Sequence, residues 1–383
     1  MMAAAPLTTP AARHARARIL DLARTAVADP DCLVELSRQL RLIVPFTASF
    51  WSASDPLTTL PTSPARVEMP ILPGQCERFW EREFLVQDFN LFRDLARAER
   101  PVTSLYRATA GQPTRSVRYR ELHHELGYGD ELRGVFRSGT AAWGVVSLWR
   151  EEGQRPFSAA EEKLVADLSA PIAEAFRRAA LMQASASSAS PEVPGLLVFD
   201  QHGKLESFND QAEMWLRELP PTARGDRAGS GVLIPTEVLT VVALAHAVAA
   251  GIERGPARAR LQSRTGSWLV IHGFLLRGPQ DVAGRTGVVI EPAKASEIAP
   301  IIVEAYDLSS REQQITSMIA RGLSTAQIAQ QLVLSQHTVR DYVKAVFEKV
   351  GVASRGELVA RLFAEHYQKP LHASIMQTPH GTA

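Results

Sequence analysis

The chain has only two cysteines among its 383 residues, Cys32 and Cys76, far apart and without a Cys/His cluster beside either. That excludes a disulfide framework and a zinc site, and fits reduced interior thiols better than a redox sensor. Net charge is nearly absent too, +1 at pH 7, so no global field announces a nucleic-acid partner. Any such contact needs a local arrangement of charges. The longest apolar stretch, Val238 to Ile252, is interrupted by Thr240 and His246 and is too short to span a bilayer. The opening, MMAAAPLTTPAARHARARILDLAR, has no unbroken apolar core before a cleavage site. It reads as a polar tail entering a basic amphipathic helix carrying Arg13, Arg16 and Arg18, and not as a signal peptide. A soluble, cytoplasmic protein with no membrane partner is the expectation.

Catalytic patterns are also missing. HExxH, a P-loop and GxSxG do not occur, and no serine–histidine pairing has triad-like surroundings. His123-His124 is a lone doublet without nearby carboxylate-rich spacing for a metal, and His246 on an apolar stretch reads as a core or helix-surface histidine before a haem ligand. Residues 192–293 contain no cysteine, which disfavours flavin–thiol photochemistry. No catalytic residue, metal site or cofactor is therefore expected.

At about 150 residues per domain, the length implies two or three domains. The clearest linker is Gln183 to Pro191, QASASSASP, a small-residue run unable to build a core. A second boundary falls near Pro292 to Pro300. Before the linker runs a long helical segment from Ser158 to Met182. It opens with the capping box Ser158-x-x-Glu161, keeps Leu164, Leu168, Ile172 and Phe176 on one face, and is kinked at Pro171. Leu132–Arg137 and Ala141–Arg150 flank Ser138-Gly139-Thr140 as an antiparallel hairpin, with helices expected at Asp31–Ile43 and Glu77–Arg97. The aromatics Trp51, Phe79, Trp80, Phe84, Trp143 and Trp149 concentrate here as core residues or as the lining of a ligand pocket. With WGVVSLWR followed by PFSAAEEKLVADLSAPIAEAF, this segment resembles a GAF domain.

The stretch GLLVFDQHGKLESFNDQAEMWL has a strand ending in the turn Asp200-Gln201-His202-Gly203, a second strand, and a helix capped by Asn209 or Asp210. Strands follow at Ala257–Gln262, Trp268–Leu276 around Thr265-Gly266, and Gly287–Glu291. This segment resembles a PAS domain.

The most informative stretch is Leu308 to Phe363, LSSREQQITSMIARGLSTAQIAQQLVLSQHTVRDYVKAVFEKVGVASRGELVARLF. Ser309-x-x-Glu312, Ser324-x-x-Gln327 and Ser354-x-x-Glu357 are capping boxes, Ser335 caps a further helix, and Gly322 and Gly351 stand at left-handed C-terminal caps. Four short helices are expected. Their apolar stripes are Ile315/Met318/Ile319/Leu323, Ile328/Ala329/Leu332, Val339/Val343/Val346/Phe347/Val350 and Leu358/Val359/Leu362. The opposite side of the third helix carries His337, Arg340, Asp341, Lys344 and Glu348 on one surface. The run resembles the LuxR-type DNA-binding domain, with its LTxRE opening, GLSxxxIAxxLxxSxxTV centre and KxGVxSRxEL close. The resemblance places the third helix in the major groove, with Arg340, Asp341 and Lys344 facing bases and Ser335, Thr338 and Lys349 near phosphates. Arginine can grip guanine through two hydrogen bonds, whereas Asp341 accepts only from donors such as cytosine's amino group and repels phosphate, so it acts as a specificity filter.

Two departures matter: Thr325-Ala326 replaces a common polar-basic pair, and Tyr342 replaces a frequent histidine. From Glu304 onward eight Lys/Arg face seven Asp/Glu, so a single domain should bind weakly and a homodimer on a two-fold site is expected.

The expectation is multidomain. A basic N-terminal helix or tail (1–29) precedes a GAF-like α+β sensory domain with its linker helix (30–182) and a flexible linker (183–191). A PAS-like α+β domain (192–293), an all-α four-helix helix-turn-helix domain (304–369) and a flexible tail (370–383) follow. The expected function is transcriptional regulation through double-stranded DNA in response to a small-molecule effector or partner. The alternatives are an interaction or dimerisation protein whose terminal helices contact RNA polymerase, or a small-molecule enzyme in the first domain.

Overall fold

Side chains alternate across a strand, so a sheet buried on both faces must be apolar at nearly every position. Strands β1 (Ala48–Ser54) and β5 (Ala141–Glu151) are buried along almost their full length. They pair within an antiparallel sheet completed by β2 (Pro61–Glu68), β3 (Val102–Ser104) and β4 (Tyr128–Ser138), in the order β2-β1-β5-β4-β3. The computed structural model describes residues 9–25, 30–70, 75–139, 141–184, 193–220, 226–227, 233–277, 284–293, 297–298, 301, 304–306 and 308–359. The expected hairpin forms: Ser138 pairs with Ala141, and Gly139 takes the positive φ of +60° that its turn requires.

Seven α-helices among the described residues accompany this sheet: α1 (Pro10–Thr25), α2 (Pro30–Ile43), α3 (Gln75–Phe84), α4 (Phe92–Arg97), α5 (Leu105–Ala108), α6 (Ala159–Asp167) and α7 (Ser169–Ala184). The segment expected as a basic N-terminal helix or tail forms α1, which buries Ala12, Ala15, Ile19 and Leu22 against α2 and α7 and turns Arg13, Arg16 and Arg18 outward. The single helix expected over Glu77–Arg97 is two helices. The Asp88 carboxylate accepts the backbone N–H groups of Phe89 and Arg118, and Asn90 is left-handed at φ +57°. Side chains that bond nearby backbone in this way compete with helical pairing. The segment from Ser158 also divides, at Leu168, and Pro171 falls in the first turn of α7. A proline there sacrifices no helical hydrogen bond.

The second sheet contains β6 (Gly195–Phe199), β7 (Leu205–Phe208), β10 (Ala257–Gln262), β11 (Trp268–Leu276) and β12 (Arg285–Pro292), with a small ribbon β8 (Asp226–Arg227) and β9 (Leu233–Ile234) apart from it. Its order is β10-β11-β12-β6-β7. Numbered within each sheet, the two orders are the same, with the first and last strands adjacent. Asn209, not Asp210, caps α8 (Asp210–Glu218) by accepting the Ala212 N–H at 2.9 Å.

The apolar run from Val238 forms α9 (Thr236–Ala249), buried all round between the second sheet and α3. A helix apolar on every face needs such a position. One continuous core therefore joins Phe50, Trp80 and Trp149 of the first region to Val238, Ile271 and Ile290 of the second. Polar ties cross the same junction: Asp55 to Arg260, Ser63 to Glu237 and Arg93 to Glu253. No helix among the described residues is long and apolar enough to cross a membrane.

The C-terminal region is helical: α10 (Ser310–Ala320), α11 (Thr325–Leu332), α12 (Gln336–Val350) and α13 (Arg355–Val359). Its own core holds Ile315, Ile319, Ile328, Val339, Val346, Val350 and Leu358, and Leu181 of α7 and Trp268 of β11 pack against that core.

Candidate nucleic-acid interface

Each C-terminal helix starts where a side-chain oxygen can take a free backbone N–H. Ser309 and Ser324 form full capping boxes with Glu312 and Gln327, and Ser335 accepts from the Thr338 N–H at 3.0 Å. The box expected at Ser354 is half made. Its hydroxyl accepts the Glu357 N–H, but the Glu357 carboxylate takes the N–H of Ala353. Gly351 ends α12 in the left-handed conformation. Between α11 and α12, the left-handed position falls on Val333, at φ +55° and 90% exposed.

The caps and the apolar stripe fix the roll of α12. Val339, Val346 and Val350 point inward, which leaves His337, Arg340, Asp341, Lys344 and Glu348 in solvent. Arg340 has no ion pair among the described residues. Lys344 reaches Glu348 at 3.9 Å, and Asp341 lies 3.0 Å from His337 Nδ1. Ser335 and Thr338 sit at the start of this helix, their hydroxyls 2.8 Å apart. Lys349 lies elsewhere, its ammonium 2.7 Å from Glu312 on α10. Arg355 is likewise spent internally, donating to the Leu323 carbonyl and the Thr325 hydroxyl. Outward cationic character on α12 is therefore concentrated in Arg340 and Lys344.

The aromatics expected together at a ligand pocket are divided by the first sheet. Phe79, Trp80 and Trp149 line an apolar cavity with Phe50, Cys76 and His123, and Thr236 of α9 borders it from the second region. Phe84 backs Trp80, with ring centroids 6.2 Å apart. Trp51 and Trp143 belong to the opposite face. Simple alternation would put Trp143 beside Trp149, but β5 carries a bulge: Phe136 pairs with Gly144 and Arg137 with Ala142, so Trp143 is the extra residue and turns to the other side. A register irregularity of this kind has no local marker in WGVVSLWR.

Behind His123 lies a buried charge network, with Arg118 3.0 Å from Glu131 and Arg133 2.8 Å from Glu83. Burial pushes the His123 imidazole down to about 4, and the neighbouring Arg118 and Arg133 charges add to this against the pull of Glu131. The Trp149 indole N–H donates to His123 Nε2 at 3.4 Å, which matches a neutral ring with its proton on Nδ1. His246 bonds to Thr286 at 2.8 Å. Cys32 is buried in one core and Cys76 half-buried at the cavity. No cluster of metal-ligating side chains occurs among the described residues.

Comparison with known proteins gives a match to "Bacterial regulatory proteins, luxR family" over residues 307–362. The chain is similar to the transcriptional regulatory protein DesR of Bacillus subtilis, 38% identical over 58 residues, which are 15% of this chain and 29% of DesR. It is 37% identical over 65 residues to the monoamine regulon transcriptional regulator of Klebsiella aerogenes, covering 17% of this chain and 29% of that protein. The chain thus spans under a third of the length of these two relatives. The spore germination protein GerE of B. subtilis is 31% identical over 55 residues, which cover 14% of this chain and 74% of GerE. Among solved structures, SdiA in complex with octanoyl-rac-glycerol aligns over 94% of this chain and 96% of its own, with 14% identity and a TM-score of 0.33. The VqmA–ligand–DNA complex of Vibrio cholera aligns over 46% of this chain and 83% of its own, with 18% identity and a TM-score of 0.20. With TM-scores this low, the arrangement of the domains is read from this chain alone.

Proposed function

Because the chain belongs through its C-terminal residues to the luxR family of bacterial regulatory proteins, we propose that it is a sequence-specific DNA-binding transcriptional regulator. The observation that carries this reading is the outward surface of α12, where Arg340 and Lys344 stand in solvent beyond a helix start capped by Ser335. In this reading Arg340, Asp341 and Lys344 meet base edges, while Ser335 and Thr338 meet phosphates through hydroxyls and helix-terminal N–H groups. Lys349 serves phosphate only if it leaves Glu312. The domain remains near neutral, so binding requires a homodimer on a two-fold symmetric site.

Residues 30–182 and 192–293 are read as GAF-like and PAS-like sensory domains, supported by their two five-stranded antiparallel sheets of identical order. The apolar cavity around Trp80 and Trp149 would take a largely apolar effector.

A gel-shift titration tests the reading. The Arg340→Ala/Lys344→Ala double variant should remain folded and dimeric while losing specific binding by about 10- to 100-fold or more, since each base-reading contact discriminates by about 1–3 kcal/mol. Undiminished binding by that variant, or tight binding by an enforced monomer, would contradict it.

A further inference from the structure

We propose that a second cavity, enclosed by the first sheet, the second sheet and α7, is a binding site for a small uncharged molecule with an apolar body and hydrogen-bond acceptors on one edge. Its lining includes Ser54, Asp55, Arg260 and Gln262. It lies on the α7 side of the first sheet, bordered by Trp143 and Phe176, and is separate from the apolar cavity at Trp149.

Two features of its lining are unspent donors. The Asp55 carboxylate accepts from the Arg260 backbone N–H at 3.1 Å and from Nη1 at 2.7 Å, with both side chains almost wholly buried. Arg260 Nε has no hydrogen-bond partner among the described residues. Trp143, turned to this side by the β5 bulge, is 2% exposed, and its indole N–H is likewise unpartnered. Indole and guanidinium nitrogens can only donate, and leaving such donors unpaired in a buried site is costly. A guest supplying acceptors is the chemical complement.

Charge narrows the class. Asp55 offsets the charge of Arg260, so an anion would gain no net field and would face a carboxylate, while a cation would face the guanidinium. The Ser54 and Ser63 hydroxyls already donate to the Ala142 carbonyl and to Glu237. The remaining wall sets the apolar Phe176, Trp268 and Ile301 beside the polar Thr62 and Gln262. A neutral molecule carrying a carbonyl, ether or ring-nitrogen acceptor fits both halves.

The cavity also has an outlet. Trp268 packs against both the α7-side core and the C-terminal helical core, and Ile301 sits in the chain leading to the latter. Occupancy would therefore press on the junction with the C-terminal helices. Only this consequence rests on the regulator reading, and the binding itself does not.

The test uses full-length protein without DNA and three probes of nearly equal shape: acetophenone, ethylbenzene (no acceptor) and benzoate (anionic). Ligand-observed NMR and tryptophan fluorescence give their dissociation constants. Acetophenone should bind about 3- to 10-fold tighter than either of the others, the advantage that one paired donor confers. Trp143→Phe, which keeps a ring and removes the N–H, should erase most of that advantage. Ala180→Leu, which narrows the cavity without touching a polar group, should weaken all three probes, and Trp149→Phe at the other cavity should change nothing. No binding of acetophenone, equal binding of ethylbenzene, or loss in Trp149→Phe but not in Trp143→Phe would each overturn the proposal. Because no DNA is present, failure here and failure of the DNA-binding reading are separate results.

Discussion

The Lys349 ammonium and the Ser309 backbone N–H converge on one oxygen, Glu312 Oε2, at 2.7 and 2.6 Å. A residue that closes the capping box of α10 thus also clamps the far end of α12. Burial alone would raise the Glu312 carboxyl, but the hydrogen bonds from Lys349 and Ser309 outweigh it and hold the group below the usual glutamate range.

Glu312→Gln keeps an acceptor for the cap but loses the charge, so the cost should be modest, about 0.5–1.5 kcal/mol, and screened because Lys349 is partly exposed. The sign of its pH dependence follows from the lowered carboxyl. Its contribution is present above about pH 4.5 and lost as pH falls through the lower folded-state value. Chemical denaturation should show wild type and variant converging as pH drops from 7 toward 3. Divergence on acidification would contradict the clamp.

In the proposed DNA-binding reading Asp341 is the opposite case, a charge that subtracts from affinity. It lies on the outward face of α12 and is held 3.0 Å from His337. Asp341→Ala should raise affinity for non-specific DNA several-fold, with a steeper salt dependence, and flatten discrimination among operator variants by about 1–3 kcal/mol at one base pair. Competition binding at two salt concentrations checks both, and weaker non-specific binding would refute the filter role.

Val333 carries backbone strain with no packing in return. A β-branched residue at φ +55° is disfavoured by about 1–2 kcal/mol, and its side chain is almost fully exposed. Val333→Asn should stabilise the C-terminal helices by about 1 kcal/mol, seen as a rise in melting temperature, while leaving DNA affinity unaltered. A lower melting temperature would mean that Val333 makes a contact in the assembled protein.

His123 gives the first region an acid limb. Its folded-state value is held at about 4, below the ordinary 6.5, so the unfolded chain takes up a proton first as pH falls. Stability should therefore decline from about pH 6.5 toward 4, by up to about 1.4 kcal/mol per pH unit. His123→Gln should remove that part of the slope. Protonation would also break the Trp149–His123 hydrogen bond, so tryptophan emission should change over the same acidic range. A slope unchanged by the substitution would place the titration elsewhere.

These four residues were not equally legible. Glu312 was visible as the third position of a capping box, because Ser309-x-x-Glu312 is a relation within one helical turn. Its bond to Lys349, 37 residues away, has no local signature, and the family resemblance alone places Lys349 near phosphates. The left-handed position at Val333 has no marker in the sequence, because such sites are inferred from Gly or Asn and here neither occurs. The lowered value of His123 depends first on its burial and then on the charges of Glu131, Arg118 and Arg133, which distant parts of the chain bring beside it.

What the amino-acid order determined by itself was everything set by short-range periodicity. Serines at helix starts, apolar stripes at three- and four-residue spacing, Gly139 in a hairpin turn and Asn209 at a cap all act within a few residues, so composition and spacing suffice. Tertiary structure alone decided which face each aromatic occupies and where cavities open. One extra residue in β5 separates Trp143 from Trp149, and Asp55 meets Arg260 across 205 residues. Strand register and domain contact are set by pairings between distant segments, whose free energies depend on partners that no local window contains.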